Sequence, residues 1–246
     1  MEWGRLCVPN DISSVKYPTS LFIEGSEPGD VIQGVLGNCW FVSAMSLIST
    51  KESLLRRLFV SSRYASIGLY TLKFFKHGTW KYVHIDDRLP LNAARNPKYT
   101  HCKNASETWA MLLEKAYAKM HGCYEVLTSG WIDYGLRDLT GGAPMKMKFK
   151  DKRYARMLLR NNGVEMFELM RRSHESGALL GTSFNTNESD EMGHRDCGIL
   201  KGHAYGILRI VKRNVKHENE EDETLRLLQL RNPWGMKEWT GDFSDD

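Results

Sequence analysis

Three strand-like runs, ALLGTSFN, HAYGILRIV and TLRLLQLRNP, all fall in the last third of the chain, whereas the most regular helical pattern, SETWAMLLEKAYAKMHG, lies before its midpoint. Segregation of this kind points to an α+β fold, helical first and built on antiparallel sheet second. Between the two, LTGGAP (Leu139–Pro144) concentrates glycine and proline. A boundary is expected there, with one subdomain over 1–141 and another over 142–246.

The local signals are specific. Trp109, Leu112, Leu113, Ala116, Tyr117 and Met120 recur at helical spacing on one face, and Gly122 follows as a stop. Around Cys39, the residues Trp40, Phe41, Ala44, Met45, Leu47 and Ile48 run without Gly or Pro, so a helix opening at Cys39 is expected. Ser49 and Glu52 have the spacing of a capping box for a second helix through LLRRLF. From Gly68 the period changes to two: Tyr70, Leu72 and Phe74 alternate, His77-Gly78 supplies a turn, and Tyr82 to Ile85 alternate again, which describes a hairpin. VEMFELMRRSHES predicts a helix ended by Gly177, and the charged KHENEEDE between the last two strands predicts a solvated loop.

With 41% apolar and 26% charged residues, 246 residues suffice to bury a sizeable core. The 34 basic and 30 acidic side chains are mixed along most of the sequence, so nucleic acid is not an expected partner. No stretch approaches the roughly 20 apolar residues of a bilayer span, and MEWGRLCVPNDISS lacks the apolar core of a secretory signal. The expected location is cytoplasmic, with no obligate membrane segment. Five cysteines without C-x-x-C pairing or regular spacing argue against a disulfide framework or zinc knuckle, leaving each as a buried hydrophobe or a reactive thiol.

One of the five stands apart. Cys39 lies in QGVLGNCWFVSA at the start of the expected helix, where unpaired N–H groups and the helix dipole favour a thiolate. A thiol nucleophile also needs an imidazole base and a group to orient it, and these can come from anywhere the fold brings close. His203, in KGHAYGILRI, opens a strand between the small residues Gly202 and Ala204. Asn232, in LRNPWG, ends the following strand, so antiparallel pairing puts its amide beside the imidazole. Gln33 offers an amide N–H₂ that can join the Cys39 backbone N–H in an oxyanion hole, and Trp234 can shield the His–Asn pair from water. Taken singly, His203 and the Asn-Pro turn are ordinary structural features; combined with Cys39 they point to nucleophilic acyl transfer.

QGVLGNCWFVSA, DDRLP, LLEKAYAKMHGCYE, LTGG, KGHAYGIL and LRNPWG span nearly the whole chain in order and together resemble the papain-related protease core of the calpain family. The resemblance implies a papain-like cysteine protease fold with the active site in a cleft between the two subdomains. It implies an intracellular endopeptidase performing limited proteolysis of cytosolic proteins, with Cys39 as nucleophile, His203 as base and acid, Asn232 as its orienter, Gln33 in the oxyanion hole and Trp234 as shield. Calcium is implied as a regulatory ion. One site would use the backbone carbonyls of Ile23 and Gly25 with the carboxylates of Asp30 and Glu107, in a loop that leads into Gln33 and Cys39. A second would use Glu238 and Asp245, with further ligands past Asp246.

The implied partners are protein substrates and accessory calpain domains or subunits; no EF-hand loop of the D-x-D-x-D-G type occurs in the chain itself. Two features depart from the family pattern. Asn38 stands where many members carry Asp, which resembles the non-classical branches. The family core also runs on past NPWG, so the second subdomain is expected to be incomplete. A catalytically impaired calpain-like scaffold or regulatory binding module is the alternative function on that ground. A transglutaminase-type acyl transferase is disfavoured by Asn232, because such enzymes commonly use an Asp orienter.

Overall fold

A computed structural model of the chain describes residues 2–5, 20–23, 25–184, 198–215, 223–236 and 238–244. Most of the KHENEEDE run, Cys7, Cys197 and Asp245 lie outside the described residues. The chain opens with β1 (Glu2–Arg5) and β2 (Val31–Ile32), then α1 (Cys39–Ser49) and α2 (Glu52–Arg56). β3 (Phe59–Tyr64), β4 (Leu69–Lys76), β5 (Thr79–Asp86), β6 (Arg88–Leu91) and β7 (His101–Cys102) precede α3 (Trp109–His121) and α4 (Ile132–Thr140). The remainder holds α5 (Lys152–Leu159), α6 (Val164–Glu175), β8 (Leu180–Phe184), β9 (His203–Val215) and β10 (Glu223–Arg231). Helices are thus mixed with antiparallel sheets: β1 with β6, β2 with β7, β3-β4-β5, and β8-β9-β10 with β9 central.

α1 is the centre of the molecule. Every residue from Trp40 to Ser49 is buried, as expected of a helix apolar nearly all round. Phe41 stacks on Tyr117 of α3 with ring centroids 4.0 Å apart, and the edge of Phe74 from β4 meets the same tyrosine at 5.3 Å. The core built this way runs from Val31 to Leu139, and Ala204 joins it from β9. The expected face of α3 is the buried one: Trp109, Leu112, Leu113, Ala116 and Tyr117 are each at most 2% exposed.

The hairpin pairs Lys76 with Thr79 across His77 and Gly78, both left-handed at φ 52° and 77°, a two-residue turn whose twist matches that of the strands. Three local expectations differ. Ser49 does not cap α2; it ends α1, and its hydroxyl donates to the Ser46 carbonyl at 2.7 Å, while Lys51 precedes α2. The segment LLRRLF is helical only to Arg56, and Phe59 already opens β3. The first 141 residues are not mainly helical, since β1 to β7 lie among them; β1, β2, β6 and β7 are too short for a period of two to show. The expected boundary falls at Gly141, which closes α4 in the left-handed region at φ 74°.

Candidate active site

Cys39 is the first residue of α1, half-buried, with its backbone fixed by the Asn38 carbonyl accepting from the N–H groups of Phe41 (2.9 Å) and Val42 (3.1 Å). Its sulfur faces the backbone N–H groups of Ala204, Trp40 and Cys39 itself. Burial pushes the thiol above its ordinary value, and those N–H groups offset only part of the rise. The helix N-terminus therefore does not leave a resting thiolate here: desolvation outweighs it. The contact with Ala204 places Cys39 one residue from His203, and Ser43 of α1 secures the alignment by donating to the Ala204 carbonyl at 2.9 Å.

His203 opens β9, is 2% exposed, and has its Nε2 2.9 Å from Asn232 Oδ1. The Asn232 amide cannot turn over without loss. Its Nδ2 donates to the Met236 carbonyl at 2.7 Å, and its Oδ1 also accepts the Trp234 N–H at 3.1 Å. With Oδ1 facing the ring, Nε2 carries the proton and Nδ1 is the bare base. Burial lowers the imidazole below its ordinary value, against the Asn232 bond that raises it. The Trp234 ring lies 4.8 Å from the imidazole and the Tyr205 ring 5.0 Å, edge-on, so two aromatic rings flank the pair.

Gln33 is tied to the same turn through its backbone, since its N–H donates to the Pro233 carbonyl at 2.9 Å. Its side chain points along its own loop: Nε2 donates to the Leu36 carbonyl at 2.7 Å, and Oε1 is buried without a hydrogen-bond partner. The neighbouring Gly34 lets this loop pass the Tyr99 backbone, where an added Cβ would come within 2.3 Å of the Tyr99 carbonyl oxygen.

The expected calcium ligands gather in part. Glu107 is 1% exposed and accepts the Ile23 N–H at 3.1 Å, so the 20–23 segment lies over its carboxylate. Burial raises the Glu107 carboxyl and the nearby Asp30 charge raises it further; the Ile23 bond opposes both. Asp30 Oδ2 accepts the Glu27 N–H at 2.7 Å across the turn Pro28–Asp30. Among the described residues neither carboxylate is in an ion pair within 4 Å. Gly25, five residues before Asp30, has φ 102°. Of the second expected site, Glu238 has its backbone against Gly198 and its charge acts on Arg231, and Asp245 is outside the described residues. Among the described residues no three His, Cys, Asp or Glu side chains form a metal-binding group, and no helix is long and apolar enough to cross a membrane.

A family model of the calpain family cysteine protease matches residues 1–246. The chain belongs to the calpain family. It is 35% identical over 245 residues to calpain-5 of Caenorhabditis elegans, a match that covers 92% of this chain and 37% of that protein. Against the calpain-2 catalytic subunit of Mus musculus the identity is 32% over 252 residues, covering 100% of this chain and 33% of the relative. A calpain-type cysteine protease of Arabidopsis thaliana is 34% identical over 248 residues, covering 99% of this chain but 11% of that protein. The chain spans at most about two fifths of the length of these calpains.

Two residues of this calpain core were not singled out by sequence. Glu114 of α3 is buried, accepts Asn38 Nδ2 at 2.6 Å and the Thr100 N–H at 3.0 Å, and also accepts the Thr100 hydroxyl. It anchors Asn38, the residue immediately before Cys39. Arg231 ends β10 and reaches the carbonyls of Pro28 and Gly29 at 3.3 Å and of Val31 at 3.4 Å, clamping the loop that holds Asp30 and Gln33 to the strand that delivers Asn232. The sequence cue for either was no more than a charged residue close to apolar ones, in LLEKAY or LQLRNP.

Proposed function

We propose that this chain is the protease core of a calcium-regulated cysteine endopeptidase that cuts cytosolic proteins through Cys39, His203 and Asn232. The observation that carries it is the buried His203–Asn232 pair at 2.9 Å, which leaves Nδ1 as the free base beside the helix start that presents Cys39. Nδ1 takes the Sγ proton as sulfur bonds to the scissile carbonyl carbon, and the carbonyl electrons move onto oxygen. The Cys39 N–H and one of the two Gln33 amide N–H groups stabilise that oxyanion while the other amide proton keeps the Leu36 bond. The imidazolium then returns its proton to the departing amine as the C–N bond breaks, and water activated by His203 releases the acyl group. Trp234 and Tyr205 keep water from the His203–Asn232 bond.

The directions of the two shifts, thiol raised and imidazole lowered, hold the proton on sulfur in this conformation. That is a resting pair, consistent with an enzyme that awaits a regulator. Asp30 and Glu107, two neighbouring carboxylates with no ion pair within 4 Å among the described residues, fit a hard ion joined by the carbonyls of Ile23 and Gly25. Calcium there would neutralise the like charges and order the loop that Arg231 clamps to the Asn232 strand. A two-part arrangement, 1–141 and 142–246 with the site between them, is supported by a main core that, among the described residues, takes Ala204 alone from the second part. The free thiols of Cys39, Cys102 and Cys123 accord with a reducing compartment.

The test is casein hydrolysis by this chain across a calcium titration. Activity should vanish in Cys39→Ser, and Asp30→Ala should need about tenfold more calcium. Hydrolysis that survives Cys39→Ser would overturn the assignment of the nucleophile; an unchanged calcium requirement in Asp30→Ala would overturn the regulatory site.

A further inference from the structure

Besides the acidic run in KHENEEDE, one segment departs from the mixed charge of the chain. MKMKFKDKRYARMLLR, residues 145–160, carries four lysines and three arginines against the single acid Asp151. Lys146 is engaged, lying over the Trp131 ring at 3.2 Å and 3.9 Å from Asp133. Lys148, Lys150, Lys152, Arg153, Arg156 and Arg160 are all exposed, and none is in an ion pair among the described residues.

Most of the segment is also left uncovered by the rest of the fold. α5 has no buried residue and packs mainly on α6 and the 160–163 turn, where Asn161, Asn162 and Gly163 in succession adopt left-handed φ of 45°, 51° and 81° and fold α5 back on α6. At 100° per residue, Lys152, Arg153, Arg156 and Leu159 share an arc of about 120°, and half-buried Tyr154, Ala155 and Met157 take the other side. Leu159 is 83% exposed at one edge of that cationic face, next to Lys152, and Met145 at 62% and Phe149 at 49% are exposed in the segment leading into it.

We propose that residues 145–160 are a docking surface for an anionic phospholipid bilayer. Unpaired cations alone would suit any polyanion. Leu159, Phe149 and Met145 among them decide the class, because a bilayer offers anionic headgroups at the level of the lysines and arginines and an acyl layer just below for the apolar side chains. The surface is independent of the catalytic residues and does not rest on the proposed chemistry.

Flotation of the whole chain with vesicles tests it, using phosphatidylserine and phosphatidylcholine in equal parts against phosphatidylcholine alone. Binding should require phosphatidylserine and weaken with salt. Each of Lys152→Ala, Arg153→Ala and Arg156→Ala should lower the partition coefficient about fivefold, multiplying when combined. Leu159→Ala should lower it about tenfold with the salt dependence unchanged. Lys81→Ala and Arg63→Ala, on the β3-β4-β5 sheet, should leave it unaltered. Because no α5 side chain is buried, unchanged far-ultraviolet ellipticity will show that the variants fold. The proposal is overturned by absent binding, by equal binding to phosphatidylcholine alone, by an equal loss in the β-sheet variants, or by Leu159→Ala binding like the parent, which would mark a general polyanion site.

Discussion

Glu114 allows a sharp test of how Asn38, the neighbour of Cys39, is held. Its carboxyl is buried, and burial pushes it from an ordinary 4.5 to about 7, against the bonds from Thr100 and Asn38 that favour the charged form. A carboxyl raised on folding binds its proton more tightly in the folded chain, so its cost to stability is absent below pH 4.5, grows as pH rises, and is complete above 7. The full difference is about 3 kcal/mol, of which about 2.5 kcal/mol develops between pH 5 and pH 8. Glu114→Gln removes the titration. It also turns an N–H₂ toward the Thr100 N–H in place of Oε2, a lost bond worth about 1–3 kcal/mol at every pH. The variant should therefore be clearly less stable than the parent at pH 5 and close to it, or more stable, at pH 8. Urea titrations of tryptophan fluorescence at both values measure this, and taking the difference between the two proteins cancels every group they share. A stability difference constant with pH within about 0.5 kcal/mol would refute the reasoning.

Two further outcomes follow from the geometry. In calcium-free buffer at pH 7, iodoacetamide should label exposed Cys123 ahead of Cys39, with the Cys39 rate still climbing above pH 9, because burial keeps its proton on sulfur; mass-spectrometric mapping reads the order, and faster labelling of Cys39 would contradict it. Asp138 is fully buried under Lys76 Nζ at 2.6 Å, Tyr117 Oη at 2.9 Å and Arg137 Nε at 3.0 Å. Both cations keep some access to water, so Asp138→Ala should cost about 2–3 kcal/mol, a melting point roughly 5–10 °C lower by calorimetry, and a drop under about 2 °C would show that the network is not holding β4, α3 and α4 together.

The parts that short-range chemistry controls were legible in the sequence. The start of α1 at Cys39, the buried face of α3, the His77-Gly78 turn and the three strands β8 to β10 each follow from spacing and turn residues within a dozen positions. The order of motifs placed His203 at a strand start and Asn232 just past a strand end, and antiparallel pairing of β9 with β10 was enough to bring them together. What depends on distant partners was not legible. Ser49 has a capping-box spacing, yet the buried end of α1 claims its hydroxyl. Glu114 reaches Asn38 across 76 residues and Arg231 reaches the Pro28 carbonyl across 203, so neither pair leaves a periodic trace. The state of Cys39 was decided by tertiary structure as well: a helix N-terminus acts within one turn and favours the thiolate, but β9 packing over α1 removes water from the sulfur, and desolvation is the larger effect.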